Sequence, residues 1–226
     1  NVEKIIANSE YTKNLAIDNG VNKEKVKVIN PGVNPSKELN KKSLEKVESL
    51  LKTKTPRLIT VSRFDKRKNH EKVIMALRNL KQIYPDIVYI CIGYGDEEEN
   101  LKKLVEELNL GSQVMFFKDI TDDLKNSLIA KSHIFVMPSI IHKKSVEGFG
   151  IAYVEAAQYG VPSLGGKDGG ASDAIEHGKT GLICDGNNLD DIYSSLNLMI
   201  ENKKYFELGK NAKEYVSKFQ WEKIIE

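Results

Sequence analysis

From residue 57 onward the chain alternates short β-branched runs with longer stretches of helical periodicity, and this alternation constrains the fold more than any other feature. Strands separated by whole helices pair in parallel, because the helix is the crossover that returns the chain to the same edge of the sheet. The extended runs fall at 57–61, 87–92, 113–116, 133–137, 162–164 and 181–184, and the helical patterns at 69–84, 96–108, 122–130, 151–159 and 189–200. Within 69–84, Val73, Ile74, Leu77 and Leu80 recur at the spacing of one helix face, the face expected to lie on the sheet. The predicted fold is therefore α/β, a Rossmann-like parallel sheet with helices on both faces. Residues 36–55 are rich in Lys and Glu with an apolar stripe at Leu44, Val47 and Leu51, and read as a surface helix in a connecting region.

Charge narrows the function classes. The 34 basic and 32 acidic side chains leave a net charge of +2, too little for non-specific binding to nucleic acid or anionic lipid, so any anion must be held by a local site. With 40% hydrophobic residues the chain has enough apolar side chain for a real core. Cys91 and Cys184, the only cysteines, sit in or beside apolar runs and read as core residues, which fits a reducing cytoplasm. No apolar run approaches the ~20 residues that span a bilayer, and the first residues carry neither an h-region nor a cleavage site. The opening Asn1-Val2-Glu3-Lys4-Ile5-Ile6-Ala7 looks like the tail of a strand, so the chain is expected to be a piece of a longer protein.

In open parallel sheets ligands bind beyond the carboxyl ends of the strands, and the unusual residues collect there. The run 57–61 leads into Ser62-Arg63-Phe64-Asp65-Lys66-Arg67-Lys68-Asn69, 87–92 into Gly93-Tyr94-Gly95-Asp96, and 133–137 into a loop ending in Glu147-Gly148-Phe149-Gly150. Arg63 and Lys68 offer a planar fork and a compact ammonium able to grip two phosphates together; with Lys66 and Arg67 between them, a solvated basic turn is the alternative. Gly148 and Gly150 stand just before a helical pattern and let backbone amides approach an anion at a helix N-terminus. A carboxylate beside a phosphate is repelled, so Glu147 reads as an acceptor from sugar hydroxyls. Glu155 lies roughly 6 to 8 Å further along the helix, in reach of a ribose, or is simply an exposed helix residue. Gly165-Gly166-Lys167-Asp168-Gly169-Gly170 forms a second glycine loop whose amides point to the same ligand. His142 beside Lys143 and Lys144 reads either as a contact to a charged substrate or as a solvated loop. No metal-ligand spacing occurs, so no metal or cofactor is expected.

Together these motifs resemble the donor domain of the retaining glycosyltransferases of group 1, also called family 4, which have the two-domain GT-B architecture. Val61-Ser62-Arg63 with Lys68 looks like the family's Gly/Ser-Arg-x4-Lys element, Glu147 to Glu155 matches its Glu-x7-Glu signature, and Gly169-Gly170 and Gly178-Lys179-Thr180-Gly181-Leu182 look like its later loop and strand. The resemblance implies that Arg63 and Lys68 neutralise the leaving diphosphate, that Glu147 binds the donor sugar at the reacting face, and that Glu155 holds the ribose. Gly148, Phe149, Gly150, Gly93, Phe117 and Lys118 would complete the donor site. The donor would be a UDP-, GDP- or ADP-linked hexose and the acceptor a glycan or a lipid-linked sugar, with front-face attack and no metal, in surface polysaccharide assembly. By the same resemblance, 1–35 is the tail of an acceptor domain and linker, 36–203 the donor domain, and 204–226 a closing helical segment that carries Trp221 back toward the N-terminal acceptor domain, leaving Trp221 exposed here. That domain would be the route to any peripheral membrane association, and without it the piece is expected to bind nucleotide but turn over little. Phe117-Lys118 stands where many relatives carry a glycine beside the base pocket, Asn69 where a glycine is frequent, and Asp173 where glutamate is frequent. A non-catalytic interaction domain, or another GT-B enzyme such as an epimerase or a phosphorylase, remains the competing reading.

Overall fold

The structure, a computed structural model, describes residues 2–225. Its first unit is small: strands β1 (Ile5–Ala7) and β2 (Val26–Val28) pair in parallel, joined by helix α1 (Glu10–Asp18). Ser9 starts α1 with a reciprocal cap, its hydroxyl accepting from the Thr12 amide at 3.1 Å while the Thr12 hydroxyl accepts from the Ser9 amide at 3.0 Å. Helix α2 (Lys41–Leu51) follows. Six strands then form one parallel sheet: β3 (Arg57–Val61), β4 (Val88–Ile92), β5 (Val114–Phe117), β6 (Ile134–Met137), β7 (Ser163–Gly166) and β8 (Gly181–Cys184). Around it lie α3 (His70–Ile83), α4 (Glu98–Glu107), α5 (Asp122–Ala130), α6 (Ile151–Gln158), α7 (Ala171–Ala174), α8 (Leu189–Ile200), α9 (Tyr205–Tyr215) and α10 (Trp221–Ile225). No helix among the described residues is long and apolar enough to cross a membrane.

The period of two along each strand sorts side chains onto the two faces. Leu58, Tyr89, Cys91, Ile134 and Val136 join one core with Val73 and Leu77 of α3, Leu101 of α4 and Leu196 of α8. Ile59, Val88, Ile90, Phe135 and Met137 join the other with residues of α2, α5, α6 and α9. Both faces are therefore covered, as the alternation of strand and helix predicted. The helix at 41–51 differs from expectation. Val47 and Leu51 are fully buried in the second core, so α2 is a layer of the fold whose polar face alone is at the surface.

Strand order is β5-β4-β3-β6-β7-β8. The chain builds outward from β3 in one direction, then returns to lay β6 on the opposite side of β3. The loops leaving β3 and β6 start at this reversal, the place where a sheet of this type takes a ligand. The first unit is tied to the same edge, since Asp173 on α7 accepts from the Glu10 amide at 3.0 Å and from the Asn30 side chain at 3.2 Å.

One buried and one half-buried histidine give the fold a pH dependence. His70 lies between the hydroxyls of Tyr89 (2.8 Å) and Ser62 (3.0 Å), and burial, reinforced by Lys68, pushes its pKa down from 6.5 to about 3. His133 Nδ1 accepts the Arg57 amide at 2.9 Å, which requires a lone pair there, and burial followed by Arg57 lowers it to about 4. Both rings are neutral when folded and protonate below pH 6.5 only when unfolded, so the unfolded chain binds more protons and stability falls as pH falls from 6.5 toward 4. At about pH 5 each ring is expected to cost on the order of 1–2 kcal/mol relative to neutral pH. Urea midpoints between pH 7.5 and 5 (roughly the span in which free histidine titrates) test this: a His70→Asn/His133→Asn variant should show the flatter profile.

Candidate functional site

The strand β3 ends at Val61 and enters the basic turn. Asp65 stops the extended chain by capping: its carboxylate accepts from the Lys68 amide at 3.1 Å, and residues Lys66–Lys68 form a single 3-10 turn. Asn69 then takes a left-handed conformation at φ 64° and begins α3. Asparagine tolerates that region where glycine is the default, and its buried amide donates to the carbonyls of Pro138 at 2.9 Å and Gly186 at 2.8 Å. The turn after β3 is thereby pinned to the loops after β6 and β8.

The loop after β6 brings Glu147 onto that turn. Its Oε2 accepts from Arg67 Nη1 at 2.8 Å and also from Lys68 Nζ, with all three side chains about nine-tenths buried. Burial draws the Lys68 pKa down, while the Glu147 charge opposes the shift. The Ile140 amide donates to the Arg67 carbonyl at 3.0 Å, fastening the same loop at its start. At its end the Glu147 carbonyl accepts from the Gly170 amide at 2.8 Å, and Glu147 pairs with Gly169 as an isolated parallel bridge, so the two glycine loops touch. Gly170 permits this: a Cβ there would stand 2.0 Å from the Gly148 carbonyl oxygen. Gly150 begins α6 at φ 85°, and a Cβ on it would strike the Tyr153 ring at 2.3 Å. Phe149 is buried edge-on against Phe219, ring centroids 5.5 Å apart, which holds the end of the loop on the second core.

The remaining predicted residues are spread around this centre. Arg63 is exposed, its guanidinium 3.7 Å from the Asp65 carboxylate, and it makes no contact with Glu147. The Gly93 amide donates to the Phe117 carbonyl at 2.9 Å, and Lys118 is exposed with its ammonium 5.8 Å from the Tyr94 ring centre. Glu155 sits on α6 in a separate cleft of about 440 Å³ lined by Asp122, Lys125, Gln158, Tyr159, Trp221 and the 32–37 segment, to which Glu147 and Lys68 do not contribute. Burial raises its carboxyl pKa, with Lys125 opposing. Trp221 is 40% exposed, its ring laid on Gly32. His142 and Ser145 close a small turn with Lys143 at φ 56°. Among the described residues no three His, Cys, Asp or Glu side chains converge where a metal ion could sit.

The fold of this chain is shared with known proteins. The family model for glycosyl transferases group 1 matches residues 41–218. The chain belongs to that family. Among its relatives, the GDP-mannose-dependent alpha-(1-6)-phosphatidylinositol monomannoside mannosyltransferase of Mycobacterium tuberculosis is 28% identical over 173 residues, covering 75% of this chain and 45% of that protein. The sulfoquinovosyl transferase SQD2 of Arabidopsis thaliana is 28% identical over 155 residues, 67% of this chain and 29% of that protein. Of solved structures, Anabaena HepE in complex with UDP and glucose superposes with a TM-score of 0.85 at 25% identity, covering 98% of this chain and 60% of that one. The fold is thus that of GT-B glycosyltransferases, and this group 1 chain spans about half the length of the curated relatives it matches.

Two features escaped the reading of the sequence. Arg67 stands in a run of basic residues with no periodicity to single it out, yet its side chain is only 10% exposed and bonded to Glu147. Gly93 and Gly95 also carry a packing duty that the sequence does not show. A Cβ on Gly93 would lie 1.9 Å from the Ser62 carbonyl oxygen and one on Gly95 2.4 Å from that of Phe64, so close packing of the two loops requires both glycines.

Proposed function

We propose that this chain is the donor-binding half of a retaining family 4 glycosyltransferase. In the whole protein it moves a hexose from a nucleotide diphosphate sugar to a glycan or lipid-linked acceptor in surface polysaccharide assembly, with an N-terminal acceptor domain completing the cleft. The observation that carries this is Lys68 meeting Glu147 at the carboxyl ends of the paired strands β3 and β6, next to the glycines that precede α6. Lys68, the exposed Arg63 and the amides of Gly148, Phe149 and Gly150 take the diphosphate; Glu147 accepts from sugar hydroxyls; Gly93, Phe117 and Lys118 border the base, while Glu155 lines a cleft apart from Lys68 and Glu147 and is given no donor contact. Stabilising negative charge on the diphosphate becomes stronger as the glycosidic bond breaks, so these cations lower the barrier as well as bind. The domain limits follow the same reading: 1–35 tail and linker, 36–203 donor domain, 204–226 closing helices. Two buried free thiols, Cys91 and Cys184, suit a reducing compartment, and we place the reaction in the cytoplasm.

Calorimetry of the folded chain with UDP, GDP and ADP tests the proposal. At least one should bind, and Lys68→Met should weaken it about 10- to 100-fold, the worth of one charged hydrogen bond to phosphate. Glu147 keeps Arg67 in that variant, so the fold should survive. Absence of binding by all three in folded wild-type chain overturns the reading.

A further inference from the structure

The carboxylate of Glu147 is held by two cations through a single oxygen. Arg67 and Lys68 both donate to Oε2, and among the described residues Oε1 accepts no hydrogen bond. The two cations differ in how they are fixed. Arg67 is bound at both ends: its Nη2 lies 3.8 Å from Asp65 Oδ2, and its carbonyl accepts the Ile140 amide at 3.0 Å. Its planar fork cannot swing without breaking the pair to Glu147. Lys68 carries a point charge on a flexible stem, and an ammonium has three hydrogens that can be redirected.

We propose that Arg67 is a positioning residue that permits Lys68 to change partners. On entry of a nucleotide diphosphate, Lys68 turns from Glu147 to the phosphates, while Arg67 alone keeps the Glu147 carboxylate charged and in place with Oε1 open to a hydroxyl of the sugar. The inference rests on the donor-site reading above and assigns a role to a residue outside the Arg63, Lys68, Glu147 and Glu155 set. Without Arg67, departure of Lys68 strands a buried carboxylate beside a polyanion, and the low-cost escape is uptake of a proton. A protonated Glu147 then no longer holds the acceptor character the sugar site needs. Among the described residues the groups set against Glu147 are Arg67 and Lys68 from the turn, Asp65 behind Arg67, Tyr153 from α6 with its hydroxyl given to the Met137 carbonyl at 2.6 Å, and the uncharged backbone of Gly169 and Gly170. Of these groups only Arg67 can replace the lost cation.

The test is calorimetry of nucleotide diphosphate binding in two buffers of different ionisation enthalpy, which counts protons taken up per ligand bound. The probe is whichever of UDP, GDP and ADP binds the wild-type chain. Arg67→Met, or Arg67→Gln if circular dichroism finds the first unfolded, should bind the diphosphate with up to about one more proton taken up than wild type. The excess should vanish in Arg67→Met/Glu147→Gln and in Arg67→Lys, which restores a cation. Wild-type proton stoichiometry in Arg67→Met overturns the exchange, because Lys68 then serves both partners at once. Excess uptake that persists in the double variant overturns it too, since another group is titrating. Loss of all binding in folded Arg67→Met and Arg67→Lys makes Arg67 a phosphate ligand and also overturns it. Absence of binding by wild type is a different failure: it removes the donor-site reading itself.

Discussion

Glu147→Ala is expected to lower the unfolding free energy by about 3–5 kcal/mol, far more than loss of an ordinary surface ion pair. The side chains of Glu147, Arg67 and Lys68 are 12%, 10% and 12% exposed, so the carboxylate is the charge that makes two nearly buried cations tolerable. Removing it leaves them facing each other with little water to screen them. Removing Lys68 instead leaves Glu147 paired with Arg67 at 2.8 Å, and costs the fold less. Glu147→Ala/Lys68→Met should therefore be more stable than Glu147→Ala alone, a reversal that independent sites cannot give. Urea midpoints of the three variants decide it. A Glu147→Ala loss below about 1 kcal/mol would mean that the triad is solvated and worth no more than a surface pair.

Such a triad explains what the sequence could and could not disclose. The sheet was legible because parallel strands buried on both faces are continuous apolar runs, and helices 122–130 and 189–200 match α5 and α8 residue for residue. Their ends carry sharp signals, Thr121 and Asn188, whose side chains accept from the first-turn amides. The helix at 41–51 was found but misplaced as a connecting element, since its lysines and glutamates describe only its outer face. Meeting of Lys68 and Glu147 was foreseeable from loops that leave neighbouring strands. Arg67 was not, because burial of one member of a basic run depends on a partner 80 residues away. Asn69 looked like a departure from a frequent glycine, and only the left-handed backbone and the two carbonyls it meets reveal why an amide serves there.

Gly93→Ala is the second large effect, and it follows from loop packing rather than charge. Gly93 has φ 146°, a region side chains rarely enter, and its Cβ would lie 1.9 Å from the Ser62 carbonyl oxygen. That obstacle is backbone, so no rotamer change relieves it. The surrounding loops are laced together: the Ser62 amide donates to Ile92 at 3.0 Å, Phe64 to Tyr94 at 2.8 Å, Gly93 to Phe117 at 2.9 Å and Glu97 to Phe64 at 3.0 Å. An alanine must push the Ser62–Phe64 segment away, breaking several of these bonds and displacing the turn that carries Arg63, Arg67 and Lys68. The expected loss is about 4 kcal/mol, strain plus forfeited bonds, with nucleotide affinity falling alongside. Gly178 is the internal control, with φ 79° but nothing within 4 Å of its Cβ. Gly178→Ala should cost only the left-handed strain, about 1–2 kcal/mol. If urea midpoints place the two variants level, backbone conformation alone sets the need for glycine at 93, and the close approach of the β3 and β4 loops contributes nothing to holding the site.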